Sequence, residues 1–220
     1  MKTDIEETPN SAGYWDREAR NFDSIYHEDG RVRGWLNRLL RGDMEERYFF
    51  ALKAARLDSH PHILDIGCGT GVHARGFLEA GAASVTGADL SPEMLKIAAE
   101  RLQSYGDRVR LIEGDFMDTG FAFAGRAFDV VTAIGVFDYI AEPRAFMAKA
   151  VGLTKGRFIA TFPRSGTPRA RLRAIRLSLR RCPVYFYSKA QIDAMAEACG
   201  ARIERYAVIG QLHCACFEPL

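Results

Sequence analysis

The sequence is short of cysteine, short of net charge and without any long apolar run, and each shortage removes a class of protein. Its five cysteines, at 68, 182, 199, 214 and 216, are odd in number and fit no disulfide framework, which suits a reducing compartment. Cys214 and Cys216 stand two apart in an alternating stretch, so in a strand they share one face and His213 takes the other. They read either as small buried thiols or as half of a metal site lacking two further ligands, and we assign no metal. Residues Met1 to Asn10 are polar and acidic, so no secretory leader is expected. Apolar runs elsewhere fall far short of the ~20 residues a membrane helix needs. A cytoplasmic protein without a transmembrane segment is the expectation. A formal net charge of +2 over 220 residues is too small to imply a nucleic acid or a membrane as partner. Repeats and low-complexity segments are absent. What remains, 48% apolar and 26% charged residues, is the composition of an ordinary globular domain with a sizeable core.

Along the chain, residues 1–13 read as a loose tail. From Tyr14 to about Leu57 apolar residues recur three or four apart, with Gly30 and Gly34 as breaks, predicting two or three helices of which 44–56 is the last. After Pro61 the pattern changes. His62–Ile66, Ser84–Asp89, Val109–Glu113, Phe128–Ile134 and Arg157–Phe162 read as strands, separated by helices over about 71–80, 92–105 and 142–153. Ser91 and Pro92 supply an N-cap and a first-turn proline. Ser188 caps a helix to about Cys199, and Ala201–Ile209 with Leu212–Phe217 form a last pair of strands. Their link at Gly210 is too short for a parallel crossover, so the pair is an antiparallel hairpin. The fold class is α/β: a Rossmann-like, doubly wound, seven-stranded sheet, mainly parallel, with N-terminal helices. One domain accounts for 1–220, divided into an N-terminal cap (1–57), a core (60–162), a basic insertion (163–187) and a C-terminal helix and hairpin (188–220).

The chemistry gathers at the strand ends, where open parallel sheets bind ligands. The first strand ends in Asp65-Ile66-Gly67-Cys68-Gly69-Thr70-Gly71. Its glycines permit a sharp turn and close approach of a ligand to the backbone, and the helix that follows offers free N–H groups. A glycine-rich loop alone is a weak signal, but the spacing is not that of dinucleotide-binding folds. Two more carboxylates stand in register with it. Asp89 ends the second strand, where it can accept both hydroxyls of a ribose. Asp115 follows the third, where it can accept from an adenine amine with Phe116 on the ring. Together Ile63–Gly71, Val85–Ser91, Leu111–Phe116 and Phe128–Ile134 resemble, in order and interval, the motifs of class I S-adenosylmethionine (SAM)-dependent methyltransferases. The resemblance implies SAM as cofactor, with Asp65, Gly67, Cys68, Gly69 and Gly71 around its methionine moiety. It further implies Asp89 at the ribose, Asp115 and Phe116 at the adenine, Ile134 near the methionine end, and Leu90 as a further cofactor contact.

Methyl transfer needs alignment more than it needs an acid or base, so the acceptor side is less legible. Asp138 and Tyr139 follow the fourth strand and are the candidates for acceptor contact and catalysis; the alternatives are a helix cap for Asp138 and packing for Tyr139. Tyr14, Phe22 and Tyr26 resemble an aromatic segment that folds over SAM, or they pack helices. His73 reads as a solvated or capping side chain, with a catalytic base as the alternative. Arginines at 164, 169, 171, 173, 176, 180 and 181 with Leu172, Ile175 and Leu179 make a basic amphipathic stretch. Arg164, Arg169 and Arg173 could grip an anionic acceptor, and Tyr185 and Tyr187 line its pocket. Surface contact of 164–181 with a membrane or an acidic protein, and a plain solvated face, are the other readings. The order of parts is similar to magnesium-protoporphyrin O-methyltransferases, although Gly135–Ile140 departs from that pattern. The expected acceptor is a small molecule, methylated at oxygen, with nitrogen, carbon, RNA or protein acceptors as alternatives. No nucleic-acid partner is expected, and the chain is read as a monomer or homodimer.

Overall fold

Alternation along the strands decides which side chain meets which helical layer. In β1 (His62–Ile66), Ile63 faces one layer and Leu64 and Ile66 the other, all buried. The computed structural model describes residues 34–118, 127–166 and 184–220, with side chains from residue 44 onward. Its elements follow in the order α1 (Gly34–Ala55), β1, α2 (Val72–Glu79), β2 (Ser84–Asp89), α3 (Pro92–Leu102), β3 (Val109–Glu113) and β4 (Phe128–Ala133). They continue with α4 (Pro143–Leu153), β5 (Thr154–Pro163), α5 (Lys189–Ala198), β6 (Ala201–Ile209) and β7 (Leu212–Pro219). The sheet runs β3-β2-β1-β4-β5-β7-β6. Its strands are parallel up to β5, whereas β7 is antiparallel to both neighbours. Strand order reverses between β1 and β4, which opens the crevice beyond their carboxyl ends.

Two apolar layers hold this sheet. Leu64, Val131, Phe158, Ala160, Phe162 and Phe217 pack with Phe146 and Met147 of α4 and Ile192 and Met195 of α5. On the reverse face Ile63, Val85, Val130, Ile159, Cys214 and Cys216 meet α1, α2 and α3. Cys214 and Cys216 are fully buried on that face, and His213 turns to the other, as alternation requires. No group of three or more His, Cys, Asp or Glu among the described residues could hold a metal ion. Among the same residues no helix is long and apolar enough to cross a membrane.

Several boundaries differ from the sequence reading, two of them for clear physical reasons. The helix expected over 44–56 begins ten residues earlier and runs through Gly42 as one element. A single interior glycine costs only about 1 kcal/mol, which docking of the helix offsets. Strand β5 starts at Thr154 and not Arg157 because Thr154 leaves α4 with no linker, its hydroxyl donating to the Ala150 carbonyl at 3.0 Å.

Candidate functional site

β1 carries Asp65 to the crevice with only 2% of its surface exposed. Its Oδ1 accepts the Thr132 hydroxyl of β4 at 2.6 Å, and Oδ2 has no partner among the described residues. Burial dominates its titration and pushes the pKa up to about 7; the Thr132 hydroxyl opposes this and the charge of Asp89 adds to it. The chain then turns through Gly67, Gly69 and Gly71, with φ of 68°, 52° and 77°, a region costly for other residues. The amides of Gly67 and Cys68 both donate to the Ala88 carbonyl, at 2.7 and 3.1 Å. A Cβ on Gly67 would sit 2.5 Å from Val136 Cγ2, and one on Gly71 would press on Leu102 and Ala98, whereas one on Gly69 would meet no protein atom within 4 Å. Gly67 and Gly71 are therefore required by packing, and Gly69 presents bare backbone to open space. Cys68 lies under this loop with its thiol against Gly87, and burial lifts its pKa well above the usual thiol value. Only its backbone is available to a ligand. Arg101 of α3 donates to the Thr70 carbonyl and ties the loop from the side.

β2 ends at Asp89, and both carboxylate oxygens are engaged by backbone. Oδ2 accepts from Gly69 N at 2.8 Å and Oδ1 from Ser91 N at 3.0 Å. Asp89 thus fastens the glycine loop to the start of α3, where Ser91 caps Met94 N. Leu90 beside it is 38% exposed. At the end of β3 the Gly114 amide donates to the Asp89 carbonyl at 3.0 Å, placing Asp115 next to β2. Asp115 Oδ1 accepts from Met117 N at 2.8 Å. Phe116 corrects its expected role on an adenine ring: it is 5% exposed and turned inward, 5.0 Å from Phe146. Met117, 38% exposed, presents its side chain in the turn instead.

Beyond β4, Ile134 is half-buried and the Gly135 amide donates to Thr161 Oγ1 of β5 at 2.8 Å. A short 3-10 turn, Phe137–Tyr139, follows. Asp138 on it is 4% exposed, so contact with an acceptor would require it to be uncovered. It does not cap α4 either, whose N-cap is Glu142. Tyr139 is half-buried. Tyr187 is 5% exposed, with its hydroxyl committed to the Phe137 carbonyl at 3.1 Å. Burial and the neighbouring Asp138 push its pKa upward. Tyr185 is half-buried and its amide donates to the Asp138 carbonyl at 2.8 Å. Arg164 stands half-buried at the tip of β5, its amide donating to the Gln211 carbonyl at 2.9 Å. His73 is neither solvated nor a cap. It is half-buried beside the Tyr48 ring at 5.7 Å, with a buried Nε2 that has no partner among the described residues. Burial first, and then Arg47, bring its pKa down to about 3. Tyr14, Phe22, Tyr26, Arg169 and Arg173 lie outside the described residues.

The sequence reading missed Thr132, Lys149 and Thr161. A threonine inside the apolar run Val130–Ala133 was a signal, since a buried hydroxyl needs a partner. Lys149 gave none. Its ammonium reaches from α4 to the carbonyls of Phe116 and Asp118.

Residues 63–156 match a family model described as a methyltransferase domain. Over 74 residues, 33% of this chain and 22% of the relative, the chain is 47% identical to ribosomal RNA small subunit methyltransferase H of Dinoroseobacter shibae. Over 96 residues it is 29% identical to a ubiquinone biosynthesis O-methyltransferase of Actinobacillus pleuropneumoniae, covering 42% of this chain and 41% of the relative. The chain therefore spans less than half the length of these relatives. In structure it is similar to magnesium protoporphyrin IX methyltransferase of Synechocystis PCC 6803 with bound S-adenosylhomocysteine (SAH), at a TM-score of 0.77 and 20% identity, covering 95% of this chain and 98% of that one. At that identity the likeness is one of fold.

Proposed function

We propose, from the premise that residues 63–156 are a class I SAM-dependent methyltransferase domain, that this chain transfers a methyl group from SAM to an oxygen of a small anionic or aromatic molecule. The observation that carries the donor half is the row of carboxylates at adjacent strand tips, Asp65, Asp89 and Asp115, closing on a loop with bare backbone at Gly69. The residues fit SAM. The buried Asp65 Oδ2, which has no partner among the described residues, calls for a donor, and an ammonium such as that of the methionine moiety supplies one. Asp89, which accepts from two backbone amides at the tip of β2, is placed to accept ribose hydroxyls as well. Asp115 Oδ2 is left to accept an adenine amine, with Leu90 and Met117 as exposed apolar neighbours. When bound, SAM supplies an electrophilic methyl group on a positively charged sulfur. The chain's own part is to align that group with the acceptor and to keep the site dry. We assign the acceptor to the space beyond β4 and β5, with Tyr139, Tyr185 and Arg164 at its rim and Asp138 beneath. Cap and lid roles for 1–57 and 163–187, and ligand contacts from Tyr14, Tyr26, Arg169 and Arg173, are part of the same proposal.

An O-acceptor is favoured because a relative is by name an O-methyltransferase. The second reading, an RNA acceptor, draws on the ribosomal RNA relative. Incubating the protein with methyl-labelled SAM and either a metabolite extract or bulk RNA decides between them. With the reaction run at moderate salt to suppress non-specific RNA binding, label in a small-molecule product supports the proposal, and label in RNA overturns it. Replacing Arg164 with Ala should then lower methylation of an anionic acceptor about tenfold while leaving SAM affinity unchanged.

The glycines supply a further check. Gly67→Ala adds left-handed strain and a collision with Val136, together costing about 2–4 kcal/mol and lowering the Tm by roughly 5–15 °C. Gly69→Ala adds strain alone, about 1–2 kcal/mol, yet fills the space reserved for the ligand. It should weaken SAM binding more than tenfold with a smaller loss of Tm. Equal effects of the two on Tm and on titration calorimetry would count against the loop as the SAM contact.

A further inference from the structure

The turn after β3 is held from below by a side chain on a distant helix. Lys149 of α4 is half-buried, and its ammonium donates to the Phe116 carbonyl and, at 3.1 Å, to the Asp118 carbonyl. The same ammonium lies 4.9 Å from the centre of the Phe116 ring, within cation–π range. That ring is itself fixed, 5.0 Å from Phe146 of α4. The turn is short and internally closed: Asp118 N donates to the Asp115 carbonyl at 2.9 Å and Met117 N to Asp115 Oδ1 at 2.8 Å. It is also fastened by the Gly114 amide on the Asp89 carbonyl. Asp115 itself is exposed, and its carboxylate is held within the turn by the Met117 amide. Its direction follows from the turn, which Lys149 helps to hold.

We propose that Lys149 is a positioning residue for the adenine end of the SAM site, aiming Asp115 at the base through the carbonyls of Phe116 and Asp118. The inference rests on the assignment of Asp115 to the adenine amine. An apolar side chain at 149 removes the ammonium's hydrogen bonds to the two carbonyls and takes the cation from the Phe116 ring. The turn then loses the fixed orientation that lets a single carboxylate read a single amine. A lysine serves here because a compact ammonium with three donors can meet two carbonyls and a ring face at once.

The test is the preference of the protein for SAH over S-inosylhomocysteine, in which a carbonyl replaces the adenine amine. Both affinities are measured by titration calorimetry. Wild type should favour SAH by about tenfold or more, since a charged acceptor loses its donor and meets an oxygen instead. Lys149→Met should bring the two affinities within about threefold of each other, and Lys149→Arg should restore most of the preference. Hydrogen exchange at the Met117 and Asp118 amides should quicken in Lys149→Met and stay near wild type in Lys149→Arg. This second measurement needs no ligand and so reads the turn even if Asp115 has another task. Lys149→Met with the wild-type preference and unchanged exchange would overturn the proposal. A wild type indifferent to the amine would instead overturn the assignment of Asp115, and the aiming role with it. If Lys149→Met does not fold, Lys149→Gln, which keeps a donor for one carbonyl, is expected to show an intermediate preference. A wild-type value for that variant would equally refute the role.

Discussion

Asp89→Ala should lose SAM affinity by about 100-fold or more and also lower the Tm. Two tasks meet in this carboxylate. One is the ribose contact proposed above; the other is visible in the protein alone, where Oδ2 holds the Gly69 amide at 2.8 Å and Oδ1 the Ser91 amide at 3.0 Å. Removing it strips the glycine loop of its tie to β2 and leaves two amides to find other partners. Hydrogen bonds to a charged group are each worth about 1.5–3 kcal/mol, so loss of the ribose contacts and of a preformed loop reaches the expected factor. Asp89→Asn separates the tasks. It keeps one acceptor oxygen but sets its NH2 against one of the two amides, so affinity should fall less, about tenfold. Titration calorimetry with SAM on the three proteins gives the comparison. Affinity of the Ala variant within threefold of wild type would remove Asp89 from the site.

The parts of this site that could be read in the sequence are those whose neighbours are close along the chain. The apolar strand carrying Asp65, the three glycines and Ser91 with Pro92 at the start of α3 all act within a few residues, and local geometry leaves them little choice. Asp89 and Asp115 were legible because parallel strands in register bring their tips together. Phe116 was not, since adjacency to Asp115 does not settle direction: Gly114, with φ of 150°, and the turn closed by Asp115 swing the ring into the core. His73 was read as solvated because nothing near it in sequence shows that α1 crosses over α2. That crossing follows from Tyr48, whose hydroxyl lies 2.0 Å from where a Cβ on Gly76 would be. Lys149 acts across about thirty residues of chain, and in a helical pattern it is one more polar position. Contacts made by tertiary docking have no local signature, and the acceptor side consists mostly of such contacts. The likeness in fold to a magnesium protoporphyrin IX methyltransferase was nonetheless readable from the order of the parts.

Asp65→Asn should make the ligand-free protein more stable at pH 8 and a poorer SAM binder at the same pH. The carboxyl is buried, has one hydroxyl partner and titrates at about 7 in the folded protein, against 3.8 for the free side chain. Between those values the folded chain holds a proton that the unfolded chain has released. Stability from this group is therefore intact below about pH 4 and declines as pH rises to about 7, by up to about 4 kcal/mol for a shift of this size. Asparagine never ionises and can still accept the Thr132 hydroxyl, so the variant escapes the decline. Its Tm should match wild type below about pH 4, pull ahead as pH rises through about 5 and 6, and exceed it most at pH 8. SAM affinity moves the opposite way, because an ammonium pairs with the ionised carboxylate and binding expels the proton. For wild type, affinity should rise as pH climbs from 6 to 8. In the variant that part of the slope should vanish and affinity at pH 8 should fall about 100-fold, as a buried charge-assisted contact is lost. The ligand's own amino group titrates alike in both proteins, so the difference between the two profiles isolates Asp65. Coincident profiles would mean that the buried carboxylate faces some other group. A variant less stable than wild type at pH 8 would mean that Asp65 already has a cationic partner within the chain.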